Sequence, residues 1–290
     1  MAFYVFNNNF IAAFNNLNKE RIGEEMAKIE LDKYYTPKDL AKYCIDKTFE
    51  VIGVENITEI IEPSAGNGSF SNQLENCIAY DIVPESEGII KQDFLQLDTP
   101  YKKGRLIIGN PPFGNRNSLM IKFYKKAVNL GDYISFILPI SQFNNNQKTY
   151  EFNLIYSEDL GLKEYSGIPI RCCLNIYQRP ISGLNKTKPD YRLKDVDVVV
   201  LRRGSKNTIP DFYDFGMCGW GEGCCGKQVE YQGQYALEFY IIIRNEKFRK
   251  EVLDLCHTTD WKNLYPSISA PCLSIWKIYK HFKENIKGIN

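Results

Sequence analysis

The feature that most constrains this chain is a series of short apolar runs, each closed by a turn: "EIIEPS", "CIAYDI", "GIIKQDF", "RLIIGN", "YISFILP" and "CCLNIYQ". Brief runs rich in Ile, Leu and Val suit strands buried on both faces of a parallel sheet. A stretch with helical spacing, "SLMIKFYKKAV", lies between two of them. Strands that alternate with helices predict an α/β protein with an open, mostly parallel sheet and helices on both faces. Upstream, residues 1–55 mix polar and apolar residues at helical spacing with few breakers. Within "YYTPKDLAKYCIDKTFEVI", Thr36 is the expected N-cap and Pro37 the first helical residue. The helix between "EIIEPS" and "CIAYDI" must be short.

After Pro180 the character changes. Residues 183–194 are polar and loop-like. They lead to a strand candidate, "DVDVVVLRR", a segment rich in glycine and cysteine, "GMCGWGEGCCGK", a second strand candidate, "YALEFYIIIR", and two helical stretches. A boundary near 180 divides the chain into residues 1–180 and 181–290. The glycine- and cysteine-rich segment reads as a flexible loop with incidental thiols. Cys218, Cys224, Cys225, Cys256 and His257 lack recognised zinc spacing, so no metal is expected there.

A length of 290 residues with 44% hydrophobic content supports a substantial core. No run approaches a transmembrane helix, and "MAFYVFNNNF" lacks the charged start and apolar core of a signal peptide. Nine cysteines without regular spacing suit a reducing interior. A cytoplasmic protein without a membrane partner is therefore expected, and the Asn- and Lys-rich composition hints at a bacterial, phage or viral source. Net charge is only +1, but its distribution is uneven. Residues 163–206 carry 10 basic and 4 acidic side chains, a net +6 between a front half at net −5 and a balanced tail. A basic middle of this kind is a candidate phosphate-binding face.

The ends of the strands carry the chemistry. "IIEPSAGNGSF" is a strand followed by a glycine-rich turn, in which Gly66 and Gly68 let the backbone pass close to a bound molecule and small Ser64 and Ala65 leave it room. It is not the full dinucleotide fingerprint. The next strand ends in Asp81, where a carboxylate can accept from ribose hydroxyls, and the third ends in Asp93 and Phe94, suited to an adenine amine and ring. The fourth ends in Asn110-Pro111-Pro112-Phe113. Two prolines end a sheet ladder, and each holds the residue before it extended. A stiff amide, main-chain carbonyls and an aromatic ring are thereby projected past the sheet's edge. Ligands of open α/β sheets bind at these carboxyl ends.

In "YYTP", "EPSAGNGSF" and above all "NPPF", residues 34–180 resemble the S-adenosylmethionine-dependent DNA adenine-N6 methyltransferases, in the gamma-type motif order. The resemblance implies a Rossmann-like methyltransferase fold with a small C-terminal recognition region at 181–290. It implies that Tyr35, Thr36 and Pro37 approach the methionine end of S-adenosylmethionine. Glu62, Pro63, Ser64, Ala65, Gly66 and Gly68 would wrap its amino-acid and ribose portion, Asp81 the ribose, and Asp93 with Phe94 the adenine. Asn110, Pro111, Pro112 and Phe113 would be the catalytic element.

An exocyclic adenine amine is a poor nucleophile, because its lone pair is delocalised into the ring. Two acceptors, the Asn110 side-chain oxygen and the Pro111 carbonyl, would favour the pyramidal form, while Phe113 stacks on the base. Flipping a base from a duplex costs a few kcal/mol. A second stacking ring is therefore expected, and Tyr165 is the candidate. Arg171, Arg179, Arg202 and Arg203 are the candidate contacts to double-stranded DNA. A cognate restriction endonuclease is a candidate partner. The motif also occurs where an amine of structured RNA or a protein glutamine is methylated, and a non-catalytic nucleic-acid-binding subunit is a further alternative. Pro271-Cys272, far from the other motifs, reads as packing and not as a cytosine-C5 nucleophile.

Overall fold

The computed structural model describes residues 35–205, 211–264 and 270–290, so the helical expectation for 1–34 lies outside the described residues. Helix α1 (Lys38–Ile52) comes first. It is followed by β1 (Glu59–Glu62), β2 (Cys77–Asp81), β3 (Ile90–Lys91) and β4 (Arg105–Gly109). Helix α2 (Ser118–Val128), β5 (Tyr133–Pro139), β6 (Asn153–Tyr165) and β7 (Ile168–Gln178) complete a seven-stranded sheet of order β3-β2-β1-β4-β5-β7-β6. The pairings β3–β2, β2–β1, β1–β4 and β4–β5 are all parallel. This is the open, mostly parallel Rossmann-like α/β sheet that the sequence predicts.

The apolar runs form strands because both faces are covered. Leu106, Ile107 and Ile108 of β4 and Ile134, Phe136 and Ile137 of β5 are fully buried. Helix α1 turns Leu40, Ala41, Cys44, Ile45 and Ile52 inward, and the Thr48 hydroxyl meets that of Ser135 on β5 at 2.6 Å. At the start of β4 the buried Arg105 guanidinium is satisfied by Glu59 and by the carbonyls of Pro100 and Leu130.

Several expectations change at this level. Thr36 is not the N-cap of α1: Pro37 is, with ψ 139° and no side-chain cap. Its extended ψ delays the first helical residue to Lys38, and its carbonyl accepts from Ala41 N. The short helix after β1 is a single 3₁₀ turn, Ser71–Gln73. Strand β6, "NLIYSEDLGLKEY", has no counterpart among the sequence-based strands. It ends the sheet order, and its charges are what an edge strand carries.

The described chain forms two compact units. The first holds the residues up to Ile137 with Lys163–Pro169 and Ile176–Arg179, and the second holds Leu138–Leu162, Ile170–Asn175 and Pro180–Asn290. The second unit contains an antiparallel sheet of order β8-β10-β9, from β8 (Val196–Arg202), β9 (Phe215–Cys218) and β10 (Leu237–Ile243). Helices α3 (Arg249–Thr258), α4 (Trp261–Leu264) and α5 (Ile275–Asn285) follow. Alternate residues of these strands, Val196, Val198, Phe215, Met217, Phe239 and Ile241, share one core with Val252, Trp261, Ile278 and Phe282. The glycine- and cysteine-rich segment is therefore no flexible loop. It supplies β9 and a packed turn, in which a Cβ on Gly219 would stand 2.3 Å from the Phe239 ring and one on Gly226 2.7 Å from Trp261.

Candidate active site

A cavity of about 330 Å³ opens in the first unit, within the size range of small-molecule sites. Its walls come from the carboxyl ends of successive strands. Glu62 ends β1 and Pro63, Ser64, Ala65 and Gly66 follow it, Asp81 ends β2, Asp93 and Phe94 follow β3, and Asn110 and Pro112 follow β4, with Tyr35 and Thr36 also in the lining. Of the proposed cofactor and catalytic residues, Pro37, Gly68, Pro111 and Phe113 do not line it. Asn67, Ser69, Phe70, Ile82, Leu95, Leu119 and Phe123 line it without having been singled out in the sequence. Leu119 and Phe123 are one helical turn apart on α2, a spacing that reveals a face but not what the face meets.

The glycine turn has a backbone reason. Gly66 has φ 53° and Gly68 φ 78°, in the left-handed region that favours glycine. A Cβ on Gly66 would meet the Tyr35 ring at 3.4 Å. Asp81 fixes the turn from the next strand: Gly66 N donates to its Oδ2 at 2.7 Å and Val83 N to its Oδ1 at 2.7 Å. Asp93 accepts from Leu95 N at 2.9 Å and caps the 3₁₀ turn Phe94–Gln96. Phe94 is buried and stacks on Phe123 at 5.4 Å between centroids.

Two groups in the wall have displaced acidities. Glu62 is 1% exposed. Burial and the nearby Asp81 charge raise its carboxyl to about 7, against the opposing pull of Ser71, whose N–H donates to Oε2 at 2.9 Å. The Tyr35 hydroxyl donates to Glu85 Oε2 at 2.5 Å, and burial together with that carboxylate pushes it up to about 12. The Tyr35 N–H donates to Ser166 Oγ at 3.0 Å.

Asn110 is held on both its side chain and its main chain. Its Nδ2 donates to Thr36 Oγ1 at 3.2 Å, and its carbonyl accepts from Ser64 Oγ at 3.2 Å. The Thr36 carbonyl in turn accepts from Ser69 Oγ at 2.7 Å, and Ser69 Oγ also lies 2.8 Å from Asn67 Oδ1. Gly109, with φ 150°, lets the end of β4 run close to β1: a Cβ there would be 3.4 Å from Glu62 Cγ.

The residues expected to contact nucleic acid separate into two groups. Tyr165 is 1% exposed. Its ring is enclosed at the end of β6, so in this structure it offers no face for a base to stack on. Arg171 forms a close ion pair with Asp159. Arg179 pairs with Asp132 at 3.0 Å, donates to the carbonyls of Val128 and Gly131, and lies over the Tyr101 ring. Arg202 and Arg203, at the end of β8, are exposed, and neither side chain has a hydrogen-bond or ion-pair partner among the described residues. Among those residues no cluster of three or more His, Cys, Asp or Glu suits a metal ion, and no helix is long and apolar enough to cross a membrane.

No family model matches the chain. It is 29% identical over 155 residues to the Type II methyltransferase M.CvrRI of Paramecium bursaria Chlorella virus XZ-6E, a match that covers 42% of this chain and 40% of that protein. The chain thus spans well under half the length of that curated relative. Solved structures with partial likeness include the M protein of the Type I restriction enzyme EcoKI, at 15% identity over 54% of this chain and 46% of that one, with a TM-score of 0.40. A type I restriction-modification methyltransferase subunit from Streptococcus thermophilus matches at 13% identity over 87% and 57%, TM-score 0.39. The 23S rRNA methyltransferase ErmE matches at 13% identity over 53% and 72%, TM-score 0.38.

Proposed function

We propose that this chain is an S-adenosylmethionine-dependent methyltransferase that modifies the N6 amine of an adenine flipped out of double-stranded DNA. The observation that carries the reading is the convergence of four strand ends on one cavity with the Asn110 amide anchored in its wall. The similarity to a viral Type II methyltransferase supports the same class. A cognate restriction endonuclease is the partner this reading carries.

The residues present fit the cofactor. Gly66 brings bare backbone to the cavity wall, Asp81 keeps lone pairs for ribose hydroxyls beyond the two amides it accepts, and Phe94 offers an apolar wall for a purine. Glu62 suits a cationic ammonium, whose charge would favour its ionised form. When bound, S-adenosylmethionine supplies an electrophilic methyl on a sulfonium. The chain's own residues prepare the acceptor. Asn110 Oδ1 and the Pro111 carbonyl accept hydrogen bonds from the two amine hydrogens, which concentrates the lone pair on nitrogen, and Phe113 holds the base flat within reach. The proton released by the product amine leaves to solvent. Recognition of the DNA target is assigned to residues 181–290, with Arg202 and Arg203 as its phosphate contacts.

The test is methyl-labelled S-adenosylmethionine offered in parallel to unmethylated duplex DNA, structured RNA and a protein extract, with the labelled product digested and identified. N6-methyladenine from the duplex is the expected product. Label found only in an RNA amine or in glutamine would replace the substrate and keep the cavity chemistry, whereas cofactor binding without transfer to any of the three would favour a non-catalytic subunit.

A further inference from the structure

We infer that Thr36 is a positioning residue, whose hydroxyl fixes the orientation of the Asn110 amide and ties it to the glycine turn of the cofactor seat. The inference rests on the reading above, in which Asn110 Oδ1 accepts from the target amine.

An asparagine amide has two ends of nearly equal size and opposite character: the oxygen only accepts and the NH₂ only donates. A half-turn about the last side-chain bond would aim a donor at an amine that itself donates. Something must hold the amide one way round. The donor end of Asn110 is committed to Thr36 Oγ1 at 3.2 Å, so the acceptor end points away from Thr36, at the opposite edge of the planar amide. Thr36 is 6% exposed, which keeps water from readily taking its place. Its hydroxyl is not spent on helix α1, whose N-cap is Pro37 without a side-chain cap.

Thr36 is itself held from both chain directions. Its carbonyl accepts from Ser69 Oγ at 2.7 Å. The Tyr35 N–H before it is bound by Ser166 Oγ at 3.0 Å, and Pro37 after it is fixed in φ. Ser64 Oγ holds the main-chain carbonyl of Asn110 at 3.2 Å. Ser69, Thr36, Asn110 and Ser64 are thus linked by hydrogen bonds in a run that starts and ends in the glycine turn. Ordering of that turn around a ligand passes directly to the amide.

The test is Thr36→Val, which keeps shape and removes the hydroxyl, with Thr36→Ser as the conservative rescue. Loss of one buried hydrogen bond predicts a fall of about tenfold in single-turnover transfer to duplex DNA. Transfer is read at saturating S-adenosylmethionine, so that a change in cofactor affinity does not enter the rate. Thr36→Ser should recover most of the rate. On an Asn110→Ala background, Thr36→Val should add no further loss. A Thr36→Val enzyme with wild-type transfer, or one that loses cofactor affinity while transferring normally at saturation, would overturn the inference. A second readout needs no substrate: the Asn110 side-chain NH₂ should exchange slowly with solvent in the wild-type protein. Rapid exchange there would overturn the inference even if Thr36→Val failed to fold. A wild-type enzyme that methylates no adenine would sink the broader reading instead, and this exchange measurement would still decide whether Thr36 holds the amide.

Discussion

Beneath the glycine turn, the Glu62 carboxyl is held up to about 7, first by burial and then by the charge of Asp81. A carboxyl raised in the folded state binds more protons than in the unfolded chain between its ordinary value and about 7. Stability therefore falls as pH rises through that window, because the native state must then hold a buried anion. Glu62→Gln keeps an oxygen for the Ser71 N–H and removes the charge. Melting temperatures of the two proteins should coincide near about pH 4, and the variant should melt higher by a few degrees near about pH 8. Equal melting curves across the range would remove Glu62 as the source. Because a cationic ligand favours the ionised carboxyl, affinity for S-adenosylmethionine should rise over the same window and lose that rise in Glu62→Gln. At Asn110 the split runs the other way. Asn110→Ala should bind cofactor within about twofold of wild type and transfer methyl at least roughly a hundredfold more slowly, as when a preorganised hydrogen-bonding group is removed. Normal turnover in that variant would end the acceptor role.

Among the elements, the glycine- and cysteine-rich turn gives the sharpest contrast between two chemically identical changes. Gly219→Ala drives a methyl to 2.3 Å from the buried Phe239 ring and 2.9 Å from Leu237, whereas a Cβ on Gly223 meets nothing within 4 Å. Overpacking of this kind costs about 1–3 kcal/mol, while an open surface site shifts stability by less than about 0.5 kcal/mol. Denaturant midpoints should fall for Gly219→Ala and hold for Gly223→Ala. Equal midpoints would return the segment to a loop. The same segment shows why some elements were legible and others not. β1, β2, β4 and β5 are apolar runs that stop at turn residues, so the hydrophobic pattern marks both body and end. β9 contains Gly216, Met217 and Cys218, residues with no strand signature, and becomes a strand only by pairing with β10. The site divides in the same way. Glu62 to Gly66, Asp81, Asp93 and Asn110 lie in short motifs whose chemistry is written in adjacent letters. Phe123 reaches the cavity only through the docking of α2, and burial of Tyr165 is a tertiary fact that a tyrosine in a strand does not declare.

For the whole molecule, the basic stretch at 163–206 divides by what each cation already does. Arg171 and Arg179 are engaged with carboxylates and carbonyls of their own units, so the sequence-level excess of +6 overstates the charge offered to a partner. Arg202 and Arg203 are exposed at the end of β8, and their side chains have no partner among the described residues. If residues 181–290 read DNA, these two cations carry part of the counterion release. Removing one phosphate-neutralising cation should lower the slope of log affinity against log salt by roughly 0.9. The double change Arg202→Ala with Arg203→Ala should therefore weaken duplex binding most at low salt and flatten the slope by about 2, with cofactor affinity and melting temperature unchanged. Arg179→Ala should do the reverse. It removes the donor to the Val128 and Gly131 carbonyls and the ion pair to Asp132, so the melting temperature should fall while the salt slope holds. An unchanged slope in the double variant, from a wild-type protein that binds the duplex, would move the phosphate contacts off β8. The two measurements together separate a cation that holds the fold from one that faces the substrate.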